Sequence, residues 1–109
     1  MNTESGISPS WLADGALELL GRFNELRTQA TRLAMENDLD GYYDQLAAVA
    51  RREAVLWRVL TVHTTDPLLL KAMEGAWGEQ EQDARRFREA AQEWRARVKV
   101  SLAVEEVAA

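Results

Sequence analysis

The chain has 109 residues, a formal net charge of −5, no cysteine and one histidine, His63. This length predicts one domain with a single modest core. The absence of cysteine excludes disulfides, thiolate zinc sites and thiol nucleophiles, and a lone histidine excludes histidine-rich metal centres. No apolar run approaches the ~18 residues that a membrane span needs, so we expect no membrane partner.

The first residues, 1–7, are polar and lack the basic and apolar regions of a signal peptide. We therefore expect a frayed terminus and a cytoplasmic location. Eleven arginines stand against two lysines, and alanine is abundant. This composition indicates a GC-rich bacterial or phage genome, and the acidic balance mildly favours basic partners.

Three helices are predicted, over about 8–36, 39–63 and 67–104, because apolar residues recur at intervals of three and four. A capping residue followed by proline, which favours helix initiation, precedes the first and third helices. These starts are Ser8-Pro9 and Asp66-Pro67, and Asp38 or Asp40 is the predicted cap of the second helix. Short loops then predict an all-α, antiparallel three-helix bundle in a single domain.

The third helix has a seam of eleven positions from Leu70 to Glu105, eight of them apolar, with no proline or glycine after Gly78. At ~1.5 Å per residue it is longer than either partner helix. Its last dozen or so residues, including Trp94 and Val98, should therefore protrude from the bundle. An exposed apolar overhang is typical of a dimer seam or a partner site.

The segment 98–104 also fits a different structure, because its larger apolar residues alternate with the period of a strand. A strand here would have to add to the sheet edge of another molecule. We expect the helix to continue, with strand and tail as the alternatives for residues 98–109.

Glu53 lies on the seam of the second helix, where a charge is costly unless it is paired. We expect an arginine from a neighbouring helix, Arg22 or Arg85, to pair with it and fix the register. A catalytic carboxylate is the alternative. For His63, at a helix end, we expect a cation that complements the helix dipole or an imidazole that faces solvent.

No metal or cofactor is expected. An acidic cluster on the third helix comprises Glu74, Glu79, Glu81 and Asp83. It fits a solvated helix face better than a hard-cation site, since Glu81 stands four residues before Arg85, in position for an ion pair.

An Arg-Glu pair near the head of the second helix, Arg52-Glu53, is followed by Ala54-Val55-Leu56. In this pair, in its size and in having three helices, the chain resembles the all-helical chorismate mutases. The resemblance implies that Arg22 and Arg52 clamp two substrate carboxylates, while Gln80 or Gln82 assists at the ether oxygen. The chain departs from that pattern because no lysine lies between Arg22 and Arg52. It also lacks an arginine near the start of the first helix.

Basic residues are concentrated between Ala84 and Lys99. This stretch contains six basic residues and only two acidic ones, Glu89 and Glu93. Phe87 and Trp94 are interleaved with them, a pattern of stacking and phosphate contact. Both aromatic residues, however, fall on the helical seam. A small nucleic-acid-associated subunit is therefore the alternative function, with Arg85, Arg86, Arg88 and Lys99 as its contacts.

The leading expectation is a protein–protein interaction module, such as an adaptor, chaperone, inhibitor or assembly subunit. Its partner would be a second copy of the chain or another protein. Trp94, Val98 and Leu102 are the expected apolar anchors, and Arg95 and Arg97 the polar rim. Enzymatic activity of the chorismate mutase type is the third hypothesis.

Overall fold

A computed structural model describes residues 10–108, with side chains from Ala13 onward. The chain forms three helices: α1, Ser10–Met35; α2, Leu39–Val62; and α3, Pro67–Ala108. The predicted all-α three-helix architecture is confirmed. The start at Ser8-Pro9 and the expectation for residues 1–7 lie outside the described residues.

The helix ends differ slightly from the predicted ones. α1 and α2 each end one residue early, whereas α3 continues to Ala108, four residues past the expected end. Residues 98–104 are helical throughout, so the strand alternative is wrong. The preceding part of α3 is already helical because it packs against α2. The helix continues into this segment because adding a residue to an existing helix costs far less free energy than nucleating a new one.

The turn between α1 and α2 is closed by backbone and side-chain hydrogen bonds. Asn37 has a left-handed φ of 65°, and its N–H donates to the Ala34 carbonyl at 3.1 Å. The Asp38 N–H donates to the Leu33 carbonyl at 2.8 Å, which completes a Schellman motif. Asp38 then caps α2, because its Oδ1 accepts from the Gly41 N–H at 2.9 Å.

α3 begins as the sequence predicts. Asp66 Oδ1 accepts hydrogen bonds from the N–H groups of Leu68 and Leu69, at 2.9 and 3.3 Å. Pro67 occupies the first helical position, where its missing N–H leaves no bond unmade. Both connecting turns are short, so successive helices run antiparallel.

α2 is the central helix of the bundle. α1 and α3 each pack against it; in the described part of the chain no Cα atoms of α1 and α3 come within 8 Å of each other, so these two helices meet only through side chains. The buried apolar residues are Ala16, Phe23, Ala30, Val49, Ala50, Ala54, Leu56, Leu60 and Ala91. Since most are small, the helices approach closely but enclose a thin core. The radius of gyration is 19.1 Å, against ~13 Å for a compact domain of this length.

The bundle ends near Arg95. Its Nε lies 2.6 Å from Asp40 Oδ1 in an ion pair, and its Nη2 donates a hydrogen bond to Asp44 Oδ2. Both aspartates belong to the first turns of α2, so beyond this point no helix of the described residues lies beside α3. We call residues 96–108 the overhang; every one of them is exposed. Trp94 was expected within it, but is half-buried at the edge of the bundle.

Candidate functional site

A polar network connects all three helices at the middle of the bundle. Glu53 on α2 is only 8% exposed. Its Oε1 accepts a hydrogen bond from Arg27 Nη2 of α1 at 2.5 Å, and its Oε2 accepts one from Trp57 Nε1 at 2.9 Å. Arg27 Nη2 also lies 3.5 Å from Gln80 Oε1 of α3. Both carboxylate oxygens are thus occupied, which fits a structural pair better than a free catalytic carboxylate.

The expected kind of partner for Glu53 is present, but the predicted identity was wrong. Arg27 makes the ion pair, whereas Arg22 and Arg85 are exposed elsewhere. Arg27 reaches Glu53 from the neighbouring helix through its long side chain. Periodicity alone does not reveal this reach. The sequence sign of this pairing is that Arg27 directly follows Leu26, which is half-buried against the core.

The second feature is a groove between α2 and α3 with a volume of about 220 Å³. We call it the arginine groove. Its basic residues are Arg51 and Arg58 from α2 and Arg85 and Arg88 from α3; the other lining residues are Ala54, Val55, Trp77, Glu81 and Ala84. The two alanines leave room between the helices, and the long arginine side chains form the walls.

The charges of this groove are unbalanced. All four arginines are exposed, and among the described residues none has a carboxylate oxygen within 4.0 Å of its guanidinium nitrogens. Glu81 is the one acidic residue among the described residues that line the groove. The ion pair expected between Glu81 and Arg85 is therefore not formed, although both residues line the groove.

The basic stretch of α3 is divided among different surroundings. Arg85 and Arg88 face the arginine groove, whereas Arg86 donates to Asp83 and lies 5.8 Å from the centre of the Phe87 ring. Lys99 belongs to the base of the overhang. The four residues expected to contact nucleic acid are thus not brought onto one surface.

The overhang is apolar on two opposite faces. Val98 and Leu102 continue the seam of Trp94, while Val100, Val104 and Val107 fall on the other side of the helix. The exposed fractions of Leu102 and Val104 are 57% and 62%. The apolar residues of this segment alternate in sequence, as in a strand, because they lie on two opposite faces of the helix.

The residues predicted to bind a partner lie close together. Trp94 and Val98 line a cavity of about 530 Å³ at the base of the overhang, which Lys99 and Asp40 also border. Arg97 and Leu102 line a second groove beside the same two residues. Arg95 is held by Asp40 and Asp44 and anchors the base of the overhang. Its predicted part in a polar rim stays a prediction.

The residues that carry the chorismate mutase resemblance are separated. Arg52 lines a largely apolar groove between α1 and α2, together with Phe23 and Val59. Gln80 lies beside the network of Arg27 and Glu53. His63 is exposed at the C-cap of α2. Among the described residues no three histidine, aspartate or glutamate side chains come together as metal ligands.

Comparison of the chain with protein-family models, with curated proteins and with solved structures finds no match. In the described part of the chain, no helix combines the length and apolar character that a membrane crossing needs.

Proposed function

We propose that this protein is a helical interaction module that pairs with a second copy of itself through the overhang of α3. The observation that carries the proposal is the exposure of Val98 and Leu102, next to the half-buried Trp94, on a part of α3 that no other described helix covers. Contiguous apolar surface of this kind marks an association site in soluble proteins.

The composition of the overhang supports association. Val98, Val100, Val104 and Val107 all lie within a solvent-exposed helix. Valine loses side-chain freedom in a helix and costs a few tenths of a kcal/mol relative to alanine. Since an isolated helical segment of this length is marginal in water, contact with a partner would provide the missing stabilisation.

The charge pattern favours a second copy as the partner. Lys99 and Glu106 are seven residues apart, so they lie on the same flank of α3. Two antiparallel copies that cross near Leu102 place Lys99 of each beside Glu106 of the other. The surface is therefore self-complementary under a two-fold axis, which is the requirement for an isologous dimer.

Charge reversal tests this arrangement. Lys99→Glu and Glu106→Lys each put like charges together at both ends of the pairing, so each variant should associate several-fold more weakly. An equimolar mixture of the two variants restores opposite charges in the heterodimer, and the double variant restores them in the homodimer. Light scattering after size-exclusion chromatography, over a dilution series, measures all four. A wild-type monomer at every concentration would refute the proposal.

A nucleic-acid-associated subunit remains the second candidate, because Arg85 and Arg88 share the arginine groove with two further arginines. That function requires affinity for single-stranded oligonucleotides that falls steeply with added salt, as arginine–phosphate contacts release counterions. A fluorescent oligonucleotide titrated at two salt concentrations tests it.

A further inference from the structure

We infer that the arginine groove binds a small oligophosphate, such as a nucleotide's phosphate chain or free polyphosphate. The proposal concerns a different surface from the overhang and does not depend on self-association. It starts from four guanidinium groups that border one groove and have no carboxylate partner among residues 13–108.

The arrangement of the arginines fits a phosphate ligand. Because α2 and α3 are antiparallel, Arg51 lies across the groove from Arg85 and Arg88 at one end, and Arg58 lies towards the other. Arg51 and Arg58 are separated by ~10 Å of helix. Planar guanidinium groups bind phosphate oxygens through paired, charge-assisted hydrogen bonds. Groups on both sides of the groove can therefore hold successive phosphates of a short chain.

Such clustering has a cost in the absence of a ligand. Arg85 and Arg88 stand three residues apart on one helix, a spacing at which like charges are destabilising. Water screens most of the repulsion between these guanidinium groups, since all four side chains are exposed. A bound anion would neutralise the positive charge of the groove more fully. Because it would bind the folded protein, it should also raise the melting temperature.

The groove favours a short ligand over a long polyanion. Its volume of about 220 Å³ is below the 300–1,000 Å³ of drug-sized sites. The whole chain carries −5 although four positive charges line this groove. A nucleic-acid strand that left the groove would therefore meet a predominantly acidic molecule, which would repel it.

Isothermal titration of the full chain with sodium tripolyphosphate at low salt tests the inference. The test variant is Arg51→Gln/Arg88→Gln. The matched control is Arg52→Gln/Arg86→Gln, which removes the same charge from neighbouring positions outside the groove. We expect the test variant to bind tripolyphosphate at least about tenfold more weakly, since each of its two substitutions removes charge-assisted hydrogen bonds. The control variant should bind within about twofold of wild type. All substituted residues are exposed, so circular dichroism should show unchanged helicity.

A second variant should strengthen binding. Glu81 is the groove's acidic residue, and Glu81→Gln removes its repulsion of phosphate. We expect a several-fold gain in tripolyphosphate affinity. No binding by the wild type, or equal losses in the test and control variants, would overturn the proposal.

Two further titrations identify the source of the phosphates. Tighter binding of a nucleoside triphosphate than of tripolyphosphate would assign the groove to nucleotides, and equal binding would assign it to free polyphosphate. A twelve-nucleotide single strand that binds more tightly than either would overturn the assignment to a small ligand. It would support the nucleic-acid function instead.

Discussion

Arg27 and Glu53 form the ion pair that joins α1 to α2 in the middle of the bundle, with Nη2 and Oε1 2.5 Å apart. The carboxylate is nearly enclosed, whereas the arginine side chain keeps 32% of its surface exposed. Loss of one partner therefore has unequal effects. Without Arg27 a buried charge remains, whereas without Glu53 the guanidinium can still turn towards water.

We expect Arg27→Ala to lower the free energy of unfolding by about 3 kcal/mol, the typical cost of an uncompensated buried charge. Glu53→Ala should cost less. The double variant Arg27→Met/Glu53→Leu should recover most of the loss, because apolar residues need no partner. Urea unfolding followed by circular dichroism measures this at one fixed protein concentration. A loss below about 0.5 kcal/mol for Arg27→Ala would show that the pair contributes little.

Trp94→Ala should abolish self-association while leaving most of the helicity intact. Trp94 lines both cavities at the base of the overhang, and large aromatic residues at such positions carry much of an interface's binding energy. Trp94→Phe, which keeps an aromatic ring, is the control and should retain measurable association. Sedimentation velocity at matched concentrations provides the comparison. Unchanged association of Trp94→Ala would count heavily against the proposed interface.

Leu102→Gln and Leu68→Gln form a matched pair on α3. Both leucines are exposed, by 57% and 78%, but only Leu102 belongs to the overhang. We expect Leu102→Gln to weaken association at least tenfold, since the burial of a leucine side chain contributes about 1.5–3 kcal/mol. Leu68→Gln should associate like wild type. Equal effects of the two substitutions would place the interface elsewhere.

Gly21→Ala and Gly41→Ala should change stability in opposite directions. A Cβ at Gly21 would meet no atom within 4 Å, and alanine favours a helix interior by about 1 kcal/mol over glycine. A Cβ at Gly41 would lie 2.5 Å from Asp38 Oδ2 and would displace the cap of α2. Thermal melting should therefore shift upward for Gly21→Ala and downward for Gly41→Ala. A rise in both would mean that the Asp38 cap adapts at no cost.

Local signals predicted most of the fold. Asp38, Asp66 and Pro67 mark helix starts through chemistry that operates within four residues. The apolar intervals gave the helix faces in the same way. The length of α3 against its partners predicted the overhang, because helical rise is constant.

The arginine groove was not predictable in this way. Arg51 and Arg58 are about thirty residues from Arg85 and Arg88 in sequence. Their meeting depends on the register between two packed helices, which is set by the core and not by the arginines. The spacing of seven residues between Arg51 and Arg58 does place them on one face of α2. It does not say which helix that face borders.

The continuity of α3 determines how the two surfaces are oriented. The helix runs unbroken from the arginine groove into the overhang, with no proline or glycine after Gly78. Each residue turns the helix by about 100°, so rotational phase fixes the direction in which the overhang presents Leu102. One residue added near Ala96 would rotate that face a quarter turn or more away from the bundle's seam. Seven added residues would bring Leu102 back to within about 20° of its original direction. It would then lie about 10 Å farther from the bundle along the helix axis. The direction of docking is therefore encoded in the number of residues between the groove and the overhang.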